Sequence, residues 1–458
     1  MQFARRAAGH RSMSCGNIAV WVVAMRVLYN ILFPLGLVLL APFYWLKMVR
    51  RGHWRSGFGE RFGKYDLRLK QALTNRRVLW LHAVSVGEVN LCTQIIQELE
   101  PRVPNHKIVV STTTSTGMAE LQRHLPSHVS KIYYPIDRRR HVQRAMGVIH
   151  PEAVVLVEAE IWPNFLWSLQ RRGKPVFLVN ARISDRSFRG YRRLGFLFRP
   201  LFASFTAVSA QNDADAVRLR ELGCRPEAIH VVGSLKFDAA QLQERRLIDV
   251  PRMLQQLGVP EDAQVVVGGS THAGEEAILA RIVRSLRRSH PKLFLVVVPR
   301  HHERGREVGD AVESAGLSFV YRTDLTGDTG RDPGSVSCLV VNTTGELRYF
   351  YEVATVVFVG KSLTARGGQN PIEPAAMGKP VVFGPHMDNF PQVVPQFLAA
   401  DAAVQVADEG ALERALDGLL SDPARCRALG ESAKDVVARN RGSIARTVDL
   451  IVRHLPGA

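Results

Sequence analysis

Carboxylates placed where a strand meets a helix are the groups in this chain best suited to acid–base chemistry. In Arg77-Val-Leu-Trp-Leu-His-Ala-Val-Ser-Val-Gly-Glu-Val-Asn90, the apolar run Val78 to Val84 reads as a strand and Ser85-Val86-Gly87-Glu88 as a tight turn. Cys92, Ile95, Ile96 and Leu99 follow at three-and-four spacing, the apolar stripe of a helix. Glu88 therefore stands at the carboxyl end of a strand and the amino end of a helix, where open α/β sheets bind their ligands. Two roles fit it: a general base, and the acidic member of a capping box, Ser85-x-x-Glu88, which satisfies first-turn N–H groups. The stretch by itself leaves both open.

A second set of candidates lies in the other half of the chain, where apolar runs end in Gly, Ser, Thr, Asn and Glu. These are Gly268 to Glu276, Pro299-Arg300, Asn342-Thr-Thr-Gly-Glu-Leu347 and Gly367-Gly-Gln-Asn-Pro-Ile-Glu-Pro374. Each presents backbone N–H groups at a helix start, a way to hold phosphate without a metal. Glu373 is placed either to accept the hydroxyls of a ribose or to complement a helix dipole. Other matches carry less. Gly360-Lys-Ser362 lacks the glycine that a phosphate-binding loop needs five residues earlier, where Thr355 stands. No G-x-G-x-x-G follows the first strand of either half, which argues against a dinucleotide oxidoreductase. Asp213-Ala-Asp215 falls in a helix's first turn, where carboxylates are favoured in any case, and His301-His302-Glu303 point apart on a helix start. Neither makes a metal site.

The elements that would position these residues are strands and helices in alternation. Apolar runs at Lys107 to Ser111, Lys131 to Asp137, Ala153 to Glu160, Pro175 to Asn180, Thr206 to Ser209 and Ile229 to Lys236 alternate with helical patterns, the mark of a mostly parallel sheet. The pattern pauses over the polar interval Asp238 to Gly258. It then restarts at Gln264 to Gly268, Lys292 to Val298, Cys338 to Asn342, Thr355 to Gly360, Pro380 to Phe383 and Ala403 to Val406, and closes on helices. Two α/β domains facing a cleft follow: residues 51–240 and 259–458, with a linker over 241–258 and an amino-terminal segment over 1–50.

That segment holds twenty residues without a charge, Val27 to Leu46, followed by the basic Lys47-Met-Val-Arg-Arg-Gly-His-Trp-Arg55. It is long enough to cross a hydrocarbon core, and Pro34, Pro42 and Asn30 make a helix lying in the membrane surface the alternative. The basic flank would keep the following domain on the cytoplasmic side. The 458 residues carry a net charge of +18, which suits nucleic acid, anionic lipid or phosphorylated substrates. Without interleaved aromatics or a recognisable module, nucleic acid is not expected. Five scattered cysteines (Cys15, Cys92, Cys224, Cys338, Cys426) show no disulfide or zinc spacing.

Taken together, His82-Ala-Val-Ser-Val-Gly-Glu88, Glu158-Ala-Glu-Ile-Trp-Pro-Asn164, Gly233-Ser-Leu-Lys-Phe-Asp238, Gly269-Ser-Thr-His-Ala-Gly-Glu-Glu276 and Gly367 to Pro374 resemble the 3-deoxy-D-manno-octulosonic acid (Kdo) transferases of lipopolysaccharide synthesis. The resemblance runs from about Val27 to the carboxyl end, and residues 1–24 fall outside it. It implies an α/β GT-B glycosyltransferase fold, two Rossmann-like domains with a membrane-anchor helix. It also implies transfer of Kdo from CMP-Kdo, a co-substrate, to the lipid A precursor at the cytoplasmic face of the inner membrane, with no cofactor and no metal. Glu88 then matches the proton acceptor, and Glu158 and Lys236 the positions that stabilise the transition state. Pro299, Arg300, Thr344, Gly345, Glu346, Asn370, Pro371, Ile372 and Glu373 match the CMP-binding segments. Three positions depart from the family pattern. Asn342-Thr-Thr344 stands for the usual Asp-Thr-Met, Lys361 for the second glycine of Gly-Gly-Ser-Leu, and Gln369 for the histidine of Gly-Gly-His-Asn.

Overall fold

The protein is described by a computed structural model over residues 15–50, 57–158, 160–241, 248–325 and 330–456. The start of the amino-terminal segment, the basic flank after residue 50, residue 159, residues 242–247 of the expected linker and residues 326–329 lie outside these.

Among the described residues fourteen strands form two sheets of seven. The first holds β1 (Arg77–His82), β2 (His106–Thr112), β3 (Ser130–Tyr133), β4 (Pro151–Val157), β5 (Val176–Ala181), β6 (Ala207–Ala210) and β7 (Ile229–Val231). The second holds β8 (Val265–Thr271), β9 (Phe294–Pro299), β10 (Phe319–Tyr321), β11 (Cys338–Val340), β12 (Val356–Val359), β13 (Val381–Phe383) and β14 (Val404–Gln405). Every recorded pairing is parallel. Val78, Leu79, Trp80 and Leu81 are all fully buried, as a parallel strand covered by helices on both faces requires. The expected α/β architecture is therefore present twice.

Strand order is β3-β2-β1-β4-β5-β6-β7 in the first sheet and β10-β11-β9-β8-β12-β13-β14 in the second. In the second sheet β11 folds back between β10 and β9, and in each sheet the chain crosses from one side of its first strand to the other at one place, between β1 and β4 and between β8 and β12. There the connections on either side diverge and leave a crevice at the strands' carboxyl ends.

The chain divides into two compact units, Met1–Leu235 with Gly442–Ala458, and Lys236–Arg441. The expected bounds, 51–240 and 259–458 with a linker over 241–258, differ from this in two ways. Within the expected linker, Val250–Gln256 is a helix capped by Asp249, and Val250, Leu254 and Leu257 are buried in the second unit's core. Their three-and-four spacing is what the polar residues around them concealed. At the other end, the helix Ser443–Arg453 belongs to the first unit. Ser443 Oγ (3.0 Å) and Arg446 Nη2 (2.8 Å) both donate to the Val232 carbonyl, and Arg102 pairs with Asp449.

At the amino end, Cys15–Arg50 is one helix with Pro34 and Pro42 inside it. One side is fastened to the first unit. Tyr29 Oη donates to Asp137 Oδ2 at 2.8 Å, the Asn30 and Asn164 side-chain amides exchange hydrogen bonds, and Arg26 lies 5.2 Å above the Trp167 ring. Asp137 is buried and also accepts the N–H groups of Asn164 and Phe165, both at 2.9 Å. It thereby caps the helix Pro163–Arg171, whose own N-cap, Trp162, offers no side-chain acceptor. Elsewhere on the first helix Val27, Ile31, Leu35, Val38, Leu39 and Phe43 are exposed, Leu39 by 80%. Among the described residues no helix is long and apolar enough to cross a membrane, so the crossing form of the expected anchor finds no support there.

Asp137→Ala would strand three donors, and each buried unsatisfied group costs about 1–3 kcal/mol. Urea unfolding is expected to show a loss on the order of 3 kcal/mol, with earlier proteolysis of the amino-terminal helix. Burial raises the Asp137 carboxyl to about 6. The folded state thus holds this proton more tightly than the unfolded one, and the group's contribution to stability falls as pH rises from about 4 to 6. Asp137→Asn should remove that slope from the pH–stability curve.

Candidate active site

In the first unit the crevice between β1 and β4 gathers carboxyl groups. The helix Val86–Leu99 begins at the end of β1, with Ser85 as its N-cap. Ser85 Oγ accepts the Glu88 N–H at 3.2 Å and donates to Glu88 Oε1 at 2.7 Å, while Val84 N–H donates to Glu88 Oε2 at 2.9 Å. The capping box is formed, with the carboxylate reaching one residue beyond the usual N-cap amide. Both Glu88 oxygens are held, yet an ionised carboxylate has about four acceptor sites, so one lone pair on each oxygen remains for a ligand.

Glu158 follows β4 directly, and its backbone lies in the left-handed region at φ 62°. For a residue with a Cβ this costs of order 1 kcal/mol or more, a cost commonly retained at functional sites. Its N–H donates to the Val179 carbonyl at 2.9 Å, which fixes the turn. Glu160 comes next, with Trp162 Nε1 donating to its Oε2 at 2.8 Å. Burial, then the charges of Glu88 and Glu158, raise the Glu160 carboxyl to about 7. Glu160 was only a letter in the Glu158 to Asn164 motif. Nothing in the sequence marks it as the desolvated member, because its surroundings include His82, Tyr134 and Tyr191, all distant in the chain.

Lys236 falls in the second unit. Its Nζ donates to the Asn389 carbonyl at 3.1 Å and lies 5.0 Å above the Phe390 ring. At the carboxyl edge of the second sheet, Pro299 ends β9 and the Arg300 N–H donates to the Thr271 carbonyl at 3.0 Å. Asn370 Oδ1 accepts the Ile372 N–H at 3.0 Å, and its amide donates to Glu373 Oε1 at 2.9 Å. Burial pushes the Glu373 carboxyl up, opposed by Asn370 and by the charges of Arg348 and Arg300. Arg300 and Glu373 are thus brought into electrostatic reach, with Asn370 bonded to Glu373 and Pro371 and Ile372 at the start of the same short helix. Thr344 and Gly345 are exposed, and Gly345 has φ 83°. Glu346 is already engaged: Arg322 donates to it at 3.0 and 3.3 Å and Thr343 Oγ1 at 2.6 Å.

The discounted Gly360-Lys-Ser362 holds no open phosphate site: the N–H groups of Lys361 (2.7 Å), Ser362 (3.0 Å) and Leu363 (3.0 Å) have an acceptor within the chain. Together with the His272 N–H (2.8 Å) they donate to the carboxylate of Glu275, which is fully buried in the first turn of the helix Glu275–Leu286. A carboxylate of the chain occupies the place that spacing alone offers to an anion. Lys361 has φ 57°, and a Cβ on neighbouring Gly360 would stand 2.5 Å from the Ser270 carbonyl. The second glycine usual in the family therefore answers a left-handed backbone that Lys361 adopts under strain.

The discounted Asp213-Ala-Asp215 behaves as expected of a helix start. It opens the helix Asp213–Glu221, and Asp215 accepts the Ile183 N–H at 3.0 Å.

A family model described as 3-Deoxy-D-manno-octulosonic-acid transferase (kdotransferase) matches residues 56–239. The 3-deoxy-D-manno-octulosonic acid transferase of Haemophilus influenzae is 30% identical over 433 residues, covering 94% of this chain and 99% of its own. That of Bordetella pertussis is 34% identical, covering 92% and 98%. This chain belongs to the Kdo transferase family. It is a glycosyltransferase, and the sequence resemblance holds along both units. The UDP-GlcNAc 2-epimerase of Neisseria meningitidis, bound to UDP-GlcNAc, has the same fold, at a TM-score of 0.57 over 82% of this chain and all of its own, with 13% identity. A 2-epimerase from Listeria monocytogenes gives 0.54 over 83% and 97%, also at 13% identity.

Two variants check the Kdo transferase's second unit. Lys361→Gly relieves a left-handed non-glycine residue and should raise its unfolding free energy by about 1 kcal/mol in urea titrations. Glu275→Ala leaves four amides stranded and should lower it by about 3 kcal/mol or more.

Proposed function

We propose that this Kdo transferase moves Kdo from CMP-Kdo to a hydroxyl of the lipid A precursor, by a single displacement that inverts the anomeric centre, without a metal. The observation that carries the reading is the placement of Glu88. It lies at the first sheet's switch point and is locked by Val84 N–H and Ser85 Oγ with lone pairs left over. In the reaction the acceptor oxygen forms a bond to the ketosidic carbon, the bond from that carbon to the CMP phosphate breaks, and Glu88 takes the acceptor proton. A base so placed contributes roughly 10²- to 10⁴-fold in rate.

The reaction passes through an oxocarbenium-like state, and Glu158 and Lys236 are assigned to its stabilisation. The strained backbone of Glu158 supports a functional role there. Arg300 and the N–H groups around Asn370 to Glu373 neutralise the leaving CMP, with Pro299 and the Thr344-Gly345-Glu346 turn shaping its site. In Glu346 the Arg322 pair holds the carboxylate in a set orientation. The exposed apolar residues of the first helix lie against the cytoplasmic surface of the inner membrane, where the acceptor's acyl chains are held. The net charge of +18 favours that anionic surface.

Purified full-length protein incubated with CMP-Kdo and tetraacyl lipid A precursor should yield a product heavier by one or more Kdo residues, read by mass spectrometry. UDP-sugars offered in parallel should not be used, and their turnover would redirect the assignment to another sugar donor. Glu88→Gln should lose roughly 10²-fold or more of the rate while folding normally. Near-normal turnover in that variant would remove Glu88 as the base.

A further inference from the structure

Behind the three carboxyl groups of the first unit lies a pair of buried polar atoms that no part of the mechanism uses. His82 closes β1 and is fully buried. Its Nδ1 is 3.1 Å from the Ser111 carbonyl oxygen and 2.9 Å from Ser111 Oγ. A carbonyl oxygen only accepts, so Nδ1 carries the hydrogen and Nε2 presents a bare lone pair. Among the described residues Nε2 has no hydrogen-bond partner, and it stands 4.0 Å from Glu160 Oε2. The Tyr134 ring stacks on the imidazole, centroids 3.9 Å apart, and its buried hydroxyl is also without a partner. Buried polar groups are nearly always satisfied, so a bare Nε2 lone pair held toward the Glu160 carboxyl is a retained cost of the kind found at functional sites.

The groups that face Glu160 are His82 from β1, Glu88 from the helix after it, Tyr134 from the segment after β3, Glu158 from the end of β4 and Tyr191 from the helix Asp185–Arg193. None of these is a cation. Burial pushes His82 down to about 3, so the imidazole stays neutral. With no positive partner among them, and with two like charges close by, the carboxyl keeps its proton to higher pH than an exposed glutamate does, up to about 7. The substrates of the proposed reaction are themselves anionic, a sugar acid and phosphates, and a third ionised carboxylate here would repel them. A protonated one offers a donor without that repulsion.

We propose that Glu160 is a further substrate-binding residue, a neutral carboxylic acid that donates a hydrogen bond from Oε1 to an oxygen of the sugar bound beside Glu88. Trp162 holds its Oε2, and His82 is the positioning residue behind it. The inference rests on Glu88 marking the sugar site. The Nε2 lone pair of His82 opposes ionisation of Glu160, because a lone pair offers a carboxylate no hydrogen to accept.

The test uses full-length protein with CMP-Kdo and tetraacyl lipid A precursor, comparing wild type, Glu160→Gln, Glu160→Leu and His82→Gln across pH 5.5 to 8.5. Wild type should lose activity above about pH 7 as Glu160 ionises. Glu160→Gln, whose amide donates without titrating, should keep activity within several-fold and lose that alkaline limb. Glu160→Leu should fall roughly 10- to 100-fold in kcat/KM, as removal of a substrate hydrogen bond does. His82→Gln places an N–H where the lone pair was and should move the limb to lower pH. An unmoved limb would remove His82 from the arrangement. Carbon-13 spectra of glutamate-labelled protein give a readout independent of turnover and of the leucine variant's folding. One carboxyl should titrate near pH 7 and vanish in Glu160→Gln. The proposal is overturned if no such carboxyl exists, or if the glutamine variant is as impaired as the leucine one. Failure of wild type to use CMP-Kdo would instead sink the donor assignment and leave the carboxyl titration to be judged by itself.

Discussion

Carboxylates that accept backbone N–H groups at the start of a helix hold this protein's functional loops in place. Glu88 takes the Val84 N–H after β1, and Glu275 takes the His272 N–H after β8 and those of Lys361, Ser362 and Leu363 after β12. Each follows the first strand of its sheet and lies in the first turn of the next helix. The physics is shared: a carboxylate in a helix's first turn meets the positive end of the dipole and accepts N–H groups of the segments beside it, Val84 in one case and His272 with Lys361 to Leu363 in the other. The outcomes differ with burial. Glu275 is enclosed and spends its acceptor capacity on the chain, so it is structural. Glu88 keeps lone pairs on a partly exposed carboxylate, so the same geometry presents it as a base.

Asp137 is a third case with another use. By accepting from Tyr29, Asn164 and Phe165 it joins the start of one helix to the flank of the amino-terminal helix. The fastened side of that helix is polar and aromatic, and its exposed residues are apolar. A single buried carboxyl thus determines how the apolar residues are presented to the surroundings.

Concentrating carboxyl groups at one sheet edge has an electrostatic cost, which the fold manages by desolvating one of them. Glu160 lies near Glu88 and Glu158, and burial with their charges raises its carboxyl to about 7, so that below that pH one of the like charges in the crevice is removed. Glu158 in the first unit and Lys361 in the second both adopt left-handed backbone within two residues of a strand's carboxyl end. At Lys361 the family's usual glycine would carry no such strain, so this departure changes backbone cost while the amide bonds to Glu275 remain.

Much of this was legible before any coordinates. Alternating apolar runs and helical stripes located most strands, because a strand buried on both faces must be apolar throughout. Ser85-x-x-Glu88 announced its capping box by spacing. The edge strand Phe319–Tyr321 and the helix Val250–Gln256 escaped notice because short elements leave too few apolar positions to show a period. What the sequence determined was local: which residues end strands, which begin helices, and which could accept or donate. Tertiary structure alone decided which amides Glu275 would satisfy, that the Ser443–Arg453 helix returns to the first unit, and that Glu160, rather than its neighbours, loses its water. Each depends on groups 80 or more residues apart, or on rings from separate strands and helices, and desolvation is a property of the assembled surroundings rather than of the residue.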